Sequence, residues 1–211
     1  MEHTREDYRL AVMVLIYTGM RPSELCGLRV RHLDLLKGSV HVCETLTPVG
    51  SRLVAGTTKT DQERIVPLPR FVCDLLAGHL AARAEHLSRP VAADDYVFTG
   101  VKGTPLNRDF LRKGVLVPAL RAAGLPEDFR TYDLRHAHAS QLIDMGASPL
   151  AIKERLGHAD ILTTFRKYGH LFQGVQERLT AQLEEAHRQA VAAMPRGTVV
   201  DLPRREGSAE R

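Results

Sequence analysis

"YDLRHAHASQLIDMGASPLAIKERLGHADILTTFRKYGHL" spans residues 132–171 and has the pattern of three short helices in succession. The predicted helices cover residues 132–145, 149–156 and 160–167. Gly146 and Gly157 lie where the first two should end, because glycine readily adopts the left-handed conformation that closes many helices. The stretch therefore predicts closely connected helices with polar and aromatic side chains beside their breaks.

Helical periodicity extends over most of the remaining chain. Further helices are predicted over residues 6–17, 70–88, 107–123 and 175–191, and a short one begins at Pro22. Between Val30 and Pro67 the pattern changes to β-branched segments separated by glycine and proline, namely "SVHVCETL", "RLVAGTT" and "RIVPLP". These segments predict a small antiparallel three-stranded sheet. The expected fold class is α+β, mainly α, a helical domain with one small sheet.

The composition is that of an ordinary globular chain with a mild excess of basic residues. Of the 211 residues, 44% are hydrophobic and 26% are charged, and the formal net charge is +4. A chain of this length can bury a full hydrophobic core. Its basicity suits a polyanionic partner such as nucleic acid without requiring one.

Cysteine usage and apolar runs indicate the compartment. Cys26, Cys43 and Cys73 are widely spaced and form no CxxC pair, which argues against a disulfide framework or a zinc knuckle. The longest apolar run, at residues 10–17, is too short to cross a bilayer, and the charged N-terminus lacks an apolar signal segment. We therefore expect a cytoplasmic protein with no membrane partner.

Four basic or histidine residues lie beside predicted structural breaks: Arg21, Lys59, Arg135 and His158. Breaks and helix N-termini favour anions, because backbone donors and the helix dipole point outward there. Two arginines at such positions could grip one phosphate through paired hydrogen bonds. Taken singly, each has an ordinary structural interpretation, as a surface arginine, a solvated hairpin lysine or a capping histidine. Tyr168 taken alone is equally ordinary, so only the ordered set favours a function.

The ordered set resembles the catalytic domain of the tyrosine recombinases, the phage-integrase family. "TGMRPSELCGLR" is similar to the first arginine box of that family, and "TKTDQERIVPLP" to its β-hairpin lysine box. "YVFTGVKGTPLN" is similar to the connector that follows, and the opening stretch to the second arginine, glycine-histidine and tyrosine boxes. The resemblance covers residues 8–173. It implies that fold, and an enzyme that cleaves and rejoins DNA through a 3′-phosphotyrosine intermediate.

The resemblance also implies a role for each matched residue. Arg21 and Arg135 match the two arginines that clamp the scissile phosphate, and His158 matches the histidine that hydrogen-bonds it. Tyr168 matches the nucleophile, and Lys59 matches the lysine that protonates the leaving 5′ oxygen. Such a site uses fixed positive donors around the pentavalent phosphorus and needs no metal or other cofactor. Arginines beside a phenol should also ease the loss of its proton.

Tyr132 departs from the family pattern. The family usually has a histidine three residues before the second arginine, and this chain has Tyr132 there. A tyrosine can hydrogen-bond the phosphate, but its ordinary pKa of about 10 makes it a poor acid or base near neutrality. We keep Tyr132 among the candidate catalytic residues and interpret His136, which follows the second arginine, as a supporting residue.

The expected organisation is a catalytic domain at residues 1–173, a helix at 174–193 and a flexible tail at 194–211. The expected partner is double-stranded DNA, with no small-molecule substrate. The C-terminal helix either packs on its own domain or docks on a neighbouring protomer of a homo-tetramer on DNA. The 20 residues before Arg21 are too few for the N-terminal domain usual in the family. The sequence is then that of a catalytic-domain fragment or of a shortened relative.

Three other interpretations remain open. A type IB topoisomerase would use related chemistry to relax DNA. A DNA-binding relative with weakened catalysis would have Tyr132 as its sign. A metal protein using His136, His138 and His158 is a third, although residues two apart on a helix face different ways.

Overall fold

The computed structural model describes residues 2–50, 52–57, 63–100, 102–172 and 175–193, and most of them are helical. The helices are α1 (Glu2–Thr18), α2 (Pro22–Cys26), α3 (Arg70–Leu87), α4 (Arg108–Phe110), α5 (Val117–Ala122), α6 (Asp133–Asp144), α7 (Pro149–Leu156), α8 (Ile161–Tyr168) and α9 (Val175–Ala193). A π-helical stretch, Leu111–Leu116, joins α4 to α5, and 3-10 turns cover Val30–His32 and Gly169–Phe172. The predicted mainly α fold class is confirmed.

Two small antiparallel sheets account for the strands. One has the order β1 (Leu33–Asp34), β2 (Ser39–Val42), β5 (Arg64–Pro67), and the other pairs β3 (Glu44–Val49) with β4 (Arg52–Thr57). The prediction of "SVHVCETL" as one strand was therefore wrong in detail, because the chain leaves the first sheet at Cys43. β5 pairs with the side of β2 that faces away from β1. β4 pairs with β3 over its whole length.

The hydrophobic core of the first unit forms where α1 packs against α6 and α3. Ala11, Val14 and Leu15 of α1 are almost completely buried. Val40 and Val66 occupy paired positions on β2 and β5 and are buried on the same side. Burying a side chain of this size is worth roughly 1.5–3 kcal/mol. This packing fixes the helix ends that surround the candidate site.

The three helices of the opening stretch form as predicted. α6, α7 and α8 end within one residue of the expected positions. Gly146 and Gly157 have positive φ angles of 84° and 66°, and they close α6 and α7. Ser148 and Asp160 start the next helices by accepting backbone hydrogen bonds from Ala151 and Leu162. Turn chemistry thus sets the two breaks between these helices.

The chain divides into two compact units, the first ending at Leu171 and the second beginning at Phe172. In the second unit, α9 has exposed apolar side chains at Leu179, Leu183 and Val191. Within the described part of the chain, no helix is long and apolar enough to span a membrane. The tail expected at residues 194–211 lies outside the described residues.

Candidate active site

Arg135 lies in the first turn of α6 and is buried, with 1% of its surface exposed. Its Nη1 donates to the carbonyl of Gly19 at 2.8 Å, and its Nη2 to the carbonyl of Leu156 at 2.6 Å. It thereby joins the turn before Arg21 to the turn before His158. Burial and the charge of Arg21 lower the pKa of Arg135 to about 10, so the guanidinium remains charged at neutral pH.

The Nε of Arg135 is also buried, and it has no hydrogen-bond partner among the described residues. An unpaired donor on a buried, charged group is costly, typically by about 1–3 kcal/mol. The fold nevertheless leaves the Nε of Arg135 unpaired, next to the turns that carry Arg21 and His158. The guanidinium can therefore still bind an anion.

The turn at Gly19 leaves no room for a side chain. Its φ is +67°, and a Cβ there would lie 2.6 Å from Cδ2 of His138 and 2.7 Å from Cδ2 of Leu156. Arg21 comes after this turn and lies immediately before the first residue of α2. Its backbone N–H and its Nη1 both donate to the carboxylate of Glu24, each at 2.7 Å. The close turn and this carboxylate together fix the position of Arg21.

Glu24 is a carboxylate buried among arginines. Its side chain has no exposed surface. Arg64 of β5 donates Nη1 to Oε1 at 3.1 Å and Nη2 to Oε2 at 2.8 Å. Burial alone would raise the pKa of Glu24, but the hydrogen bonds and charges of Arg64 and Arg21 outweigh it and lower that pKa. The carboxylate stays ionised and holds both arginines.

Arg64 also ties β5 to α7, because its Nε donates to the carbonyl of Arg155 at 2.9 Å. Arg155 in turn donates Nε to Nε2 of His138 at 2.9 Å and Nη2 to the carbonyls of Tyr17 and Pro67 at 2.8 and 3.1 Å. Burial and the charge of Arg155 lower the pKa of His138 to about 4. His138 is therefore neutral and accepts a hydrogen bond that braces the site.

His158 follows the left-handed Gly157 and is 4% exposed. Its Nδ1 lies 2.9 Å from the hydroxyl of Thr164, which is fully buried on α8. Burial and the nearby charge of Arg135 lower the pKa of His158 to about 4. The imidazole is therefore neutral at physiological pH, and the threonine hydroxyl orients it.

Tyr168 is the last residue of α8, and 3% of its surface is exposed. Its hydroxyl lies 3.0 Å from Nδ1 of His136. Burial raises the pKa of Tyr168 and outweighs the opposing charge of Arg135. Arg135 thus eases loss of this proton, as expected, but burial has the larger effect on the pKa. Burial and Lys167 lower the pKa of His136, so both partners are neutral.

Tyr132 lies at the start of α6, one turn before His136, and their ring centroids are 5.2 Å apart. Lys167 donates from Nζ to the Tyr132 hydroxyl at 3.4 Å and lies 5.5 Å from the ring centroid. Burial raises the pKa of Tyr132, but the charges of Arg135 and Lys167 lower it by more. The tyrosine that departs from the family pattern thus has a cationic partner beside Tyr168.

The structure brings five of the six predicted site residues together: Arg21, Tyr132, Arg135, His158 and Tyr168. Arg135 binds the turns that precede Arg21 and His158. Its charge also acts to lower the pKa of Tyr132 and that of Tyr168. Lys59 lies outside the described residues.

Sequence reasoning missed four residues that shape the site: Glu24, Arg64, Thr164 and Lys167. Glu24 lies in the first turn of the short helix that begins at Pro22, where an acidic residue is ordinary. Arg64 lies five residues after Lys59 within the same sequence box. Thr164 and Lys167 lie in the opening stretch, but a threonine and a lysine on a short helix carry no signal of their own. The contacts of these four residues in the folded chain reveal their roles.

The three histidines of the metal interpretation have separate partners. His136 contacts Tyr168, His138 accepts from Arg155, and His158 contacts Thr164. Over the described ranges, no group of three histidine, cysteine, aspartate or glutamate side chains could hold a metal ion. The geometry gives this interpretation no support.

A family model described as "Phage integrase family" matches residues 1–174. The chain belongs to the phage integrase family. Tyrosine recombinase XerD of Listeria monocytogenes is 32% identical over 155 residues, which cover 73% of this chain and 47% of that protein. The ICEBs1 integrase of Bacillus subtilis is 29% identical over 176 residues, with 82% and 47% covered. The chain thus spans about half the length of these relatives.

A crystal structure of the XerH site-specific recombinase bound to palindromic difH substrate has the same fold. It is 26% identical with a TM-score of 0.63, and the match covers 87% of this chain and 48% of that one. The predicted tyrosine recombinase catalytic fold is therefore confirmed. These matches are to recombinases and integrases of the phage integrase family, and they do not favour the topoisomerase interpretation.

Proposed function

We propose that this chain is the catalytic domain of a site-specific DNA recombinase that cleaves and rejoins strands through a 3′-phosphotyrosine bond. One observation carries the proposal. Buried Arg135 joins the turns of Arg21 and His158, and Tyr168 lies against the residue that follows Arg135. Family membership and the DNA substrate named for the XerH structure support it.

Arg135 and Arg21 would clamp the scissile phosphate. Attack on a phosphodiester adds negative charge to its non-bridging oxygens, which fixed positive donors stabilise. The unpaired Nε of Arg135 is already desolvated and aligned by two carbonyl bonds. Glu24 holds Arg21 in place. The site therefore reorganises little when the phosphate enters.

His158 and Tyr132 would add further hydrogen bonds. Thr164 engages Nδ1 of the neutral His158, so Nε2 is the ring nitrogen that would donate to a phosphate oxygen. The oxygen of Tyr132 accepts from Lys167, and its own proton can donate to the same phosphate. In this role Tyr132 replaces the usual histidine as a donor.

Tyr168 would be the nucleophile. Its oxygen attacks the phosphorus, the bond to the 5′ oxygen breaks, and a 3′-phosphotyrosine bond forms. Lys59 would protonate the departing 5′ oxygen, a role implied by its match to the family's lysine. The new ester keeps the energy of the broken bond, so a second 5′ hydroxyl can reseal the strand.

Double-stranded DNA would be the partner, and a homo-tetramer on DNA the active assembly. The exposed Leu179, Leu183 and Val191 of α9 support docking of this helix on a second protomer. Sedimentation on DNA of the full chain and of a variant with these three residues changed to serine tests the assembly. Identical oligomers would contradict docking through α9.

A suicide substrate tests the chemistry, because a nick beside the scissile phosphate releases a short strand and traps the covalent complex. The wild-type chain should form an adduct stable to denaturation, and Tyr168→Phe should form none while still binding DNA. An adduct that survives in Tyr168→Phe contradicts the nucleophile. Exchange between two sites, rather than relaxation alone, separates a recombinase from a topoisomerase.

A further inference from the structure

The group that contacts the Tyr168 hydroxyl is His136, which sequence reasoning treated as a supporting residue. The distance from the hydroxyl to Nδ1 is 3.0 Å, and the ring centroids are 5.7 Å apart. The neighbouring candidates are engaged elsewhere, because His158 contacts Thr164 and Tyr132 contacts Lys167. The nucleophile therefore meets an imidazole nitrogen where it must lose its proton.

The surroundings of His136 keep it in the form that accepts a proton. The charged and titratable groups around it are Tyr168 and Lys167 on α8, Tyr132, Asp133 and Arg135 at the start of α6, and Arg130 just before it. Burial lowers the pKa of His136 first, and the cations lower it further against the opposing charge of Asp133. The ring is neutral at physiological pH, as a general base must be.

We propose that His136 is the catalytic base of DNA cleavage and takes the Tyr168 proton on Nδ1 as the phenol oxygen attacks. The inference rests on the proposed function. One bond forms, from the Tyr168 oxygen to phosphorus, and one breaks, from phosphorus to the 5′ oxygen. The phenol proton passes to His136, and the leaving oxygen takes a separate proton from Lys59. During rejoining His136 returns its proton to Tyr168.

This assignment accounts for Tyr132 at the position where the family usually has histidine. A phenol beside Lys167 and Arg135 is a hydrogen-bond donor rather than a proton acceptor near neutrality. His136, one turn further along α6, contacts the nucleophile directly. The two roles, phosphate donor and base, are then divided between two side chains on the same helix.

The test is single-turnover cleavage of the suicide substrate from about pH 5 to about pH 9. The wild-type rate should fall only at acidic pH, where His136 becomes protonated, and stay level above. His158, whose pKa is about 4, stays neutral across this range. His136→Asn keeps an amide oxygen that can accept from Tyr168 but cannot take its proton. Its rate at neutral pH should drop by about 100-fold or more and rise steadily with pH, because the phenol must then ionise unaided.

A substrate with sulfur in place of the bridging 5′ oxygen separates base from acid. The thiolate leaves without a proton, so the substrate should rescue Lys59→Ala and should not rescue His136→Asn. Tyr132→Phe, whatever its rate, should keep the level region of the pH profile. These expectations distinguish His136 from both neighbouring groups.

The inference is overturned if His136→Asn keeps the wild-type level region, or if the sulfur substrate restores its rate. His136→Gln, which also carries an amide oxygen, gives the same readout should the asparagine variant not fold. Thermal unfolding and DNA affinity establish that each variant is intact. A wild-type chain that forms no adduct would instead contradict the proposed function, which is a separate outcome.

Discussion

Arg64 binds both carboxylate oxygens of Glu24, at 3.1 and 2.8 Å, across 40 residues of sequence. The Glu24 side chain is completely buried and that of Arg64 is 7% exposed. Because a buried charge is stable only when it is paired, neither residue can be removed alone without cost. Glu24 also accepts a hydrogen bond from Arg21, and Arg64 also donates one to the backbone of α7. The integrity of the pair therefore bears on both the fold and the site.

Arg64→Met should lower the free energy of unfolding by about 3–5 kcal/mol, because it leaves Glu24 buried with only Arg21 as a cationic partner. Urea denaturation at neutral pH measures the change. Arg121→Met is the matched control, since Arg121 binds both oxygens of Glu127 on the surface. The control should change stability far less. Equal losses in the two variants would contradict a buried pair.

Glu24 should also make stability depend on pH. Its pKa is lowered in the folded state, so its contribution is present above the ordinary pKa of about 4.5. The contribution is lost as the pH falls through the folded value. The stability difference between the wild type and Glu24→Gln should therefore shrink below about pH 4.5. A difference that stays constant down to about pH 3 would contradict this assignment.

Gly19→Ala should disrupt the turn that accepts from Arg135. The new Cβ would combine a left-handed backbone with a 2.6 Å approach to His138, at a cost of about 2–5 kcal/mol. Gly124→Ala is the control, because Gly124 has φ +66° and no described atom within 4 Å of the added Cβ. It should cost about 1–2 kcal/mol. Thermal unfolding of both variants tests whether the extra loss comes from the contact.

Thr164→Val should reduce cleavage by about tenfold, because it removes the hydroxyl that orients His158 and leaves a buried nitrogen unpaired. Thr164→Ser keeps the hydroxyl and should retain most of the activity. Single-turnover rates on the suicide substrate, with DNA affinity as a check on folding, measure the effect. Equal rates for valine and serine would show that the hydroxyl does not position the histidine.

Arg135→Lys should lower the cleavage rate by about 10²–10³-fold. A lysine keeps the charge but cannot bind the carbonyls of Gly19 and Leu156 and a phosphate at once. Arg121→Lys serves as the control and should cleave normally, because in the described part of the chain Arg121 binds Glu127 and no residue of the site. A wild-type rate for Arg135→Lys would contradict the assignment of Arg135 as a clamp for the scissile phosphate.

The helices of the site could be predicted because periodicity and turn residues are local signals. The helices of residues 132–171 follow from apolar spacing and from Gly146 and Gly157. The division of "SVHVCETL" between two sheets could not be predicted, because it depends on which strand pairs with each side of Cys43. Local sequence does not record such pairing.

The same distinction applies to the site: residue types could be predicted from local motifs, whereas contacts between separate segments could not. The ordered motifs identified the residues whose type is characteristic of the family, including Tyr168. The contact between Arg64 and Glu24, and that between Lys167 and Tyr132, join distant segments whose residues are unremarkable in sequence. The raised pKa of Tyr168 also depends on burial, which no motif reports. The role of Lys59 stays a prediction.

The position of the covalent bond is the most direct test of Tyr168 as the nucleophile. The trapped adduct would be digested with protease and nuclease, and the peptide that carries a nucleotide identified by mass spectrometry. We expect a phosphoryl group on Tyr168 linked to the 3′ end of DNA. A nucleotide on Tyr132 or any other residue, or a wild-type protein that binds the substrate and forms no adduct, would contradict it.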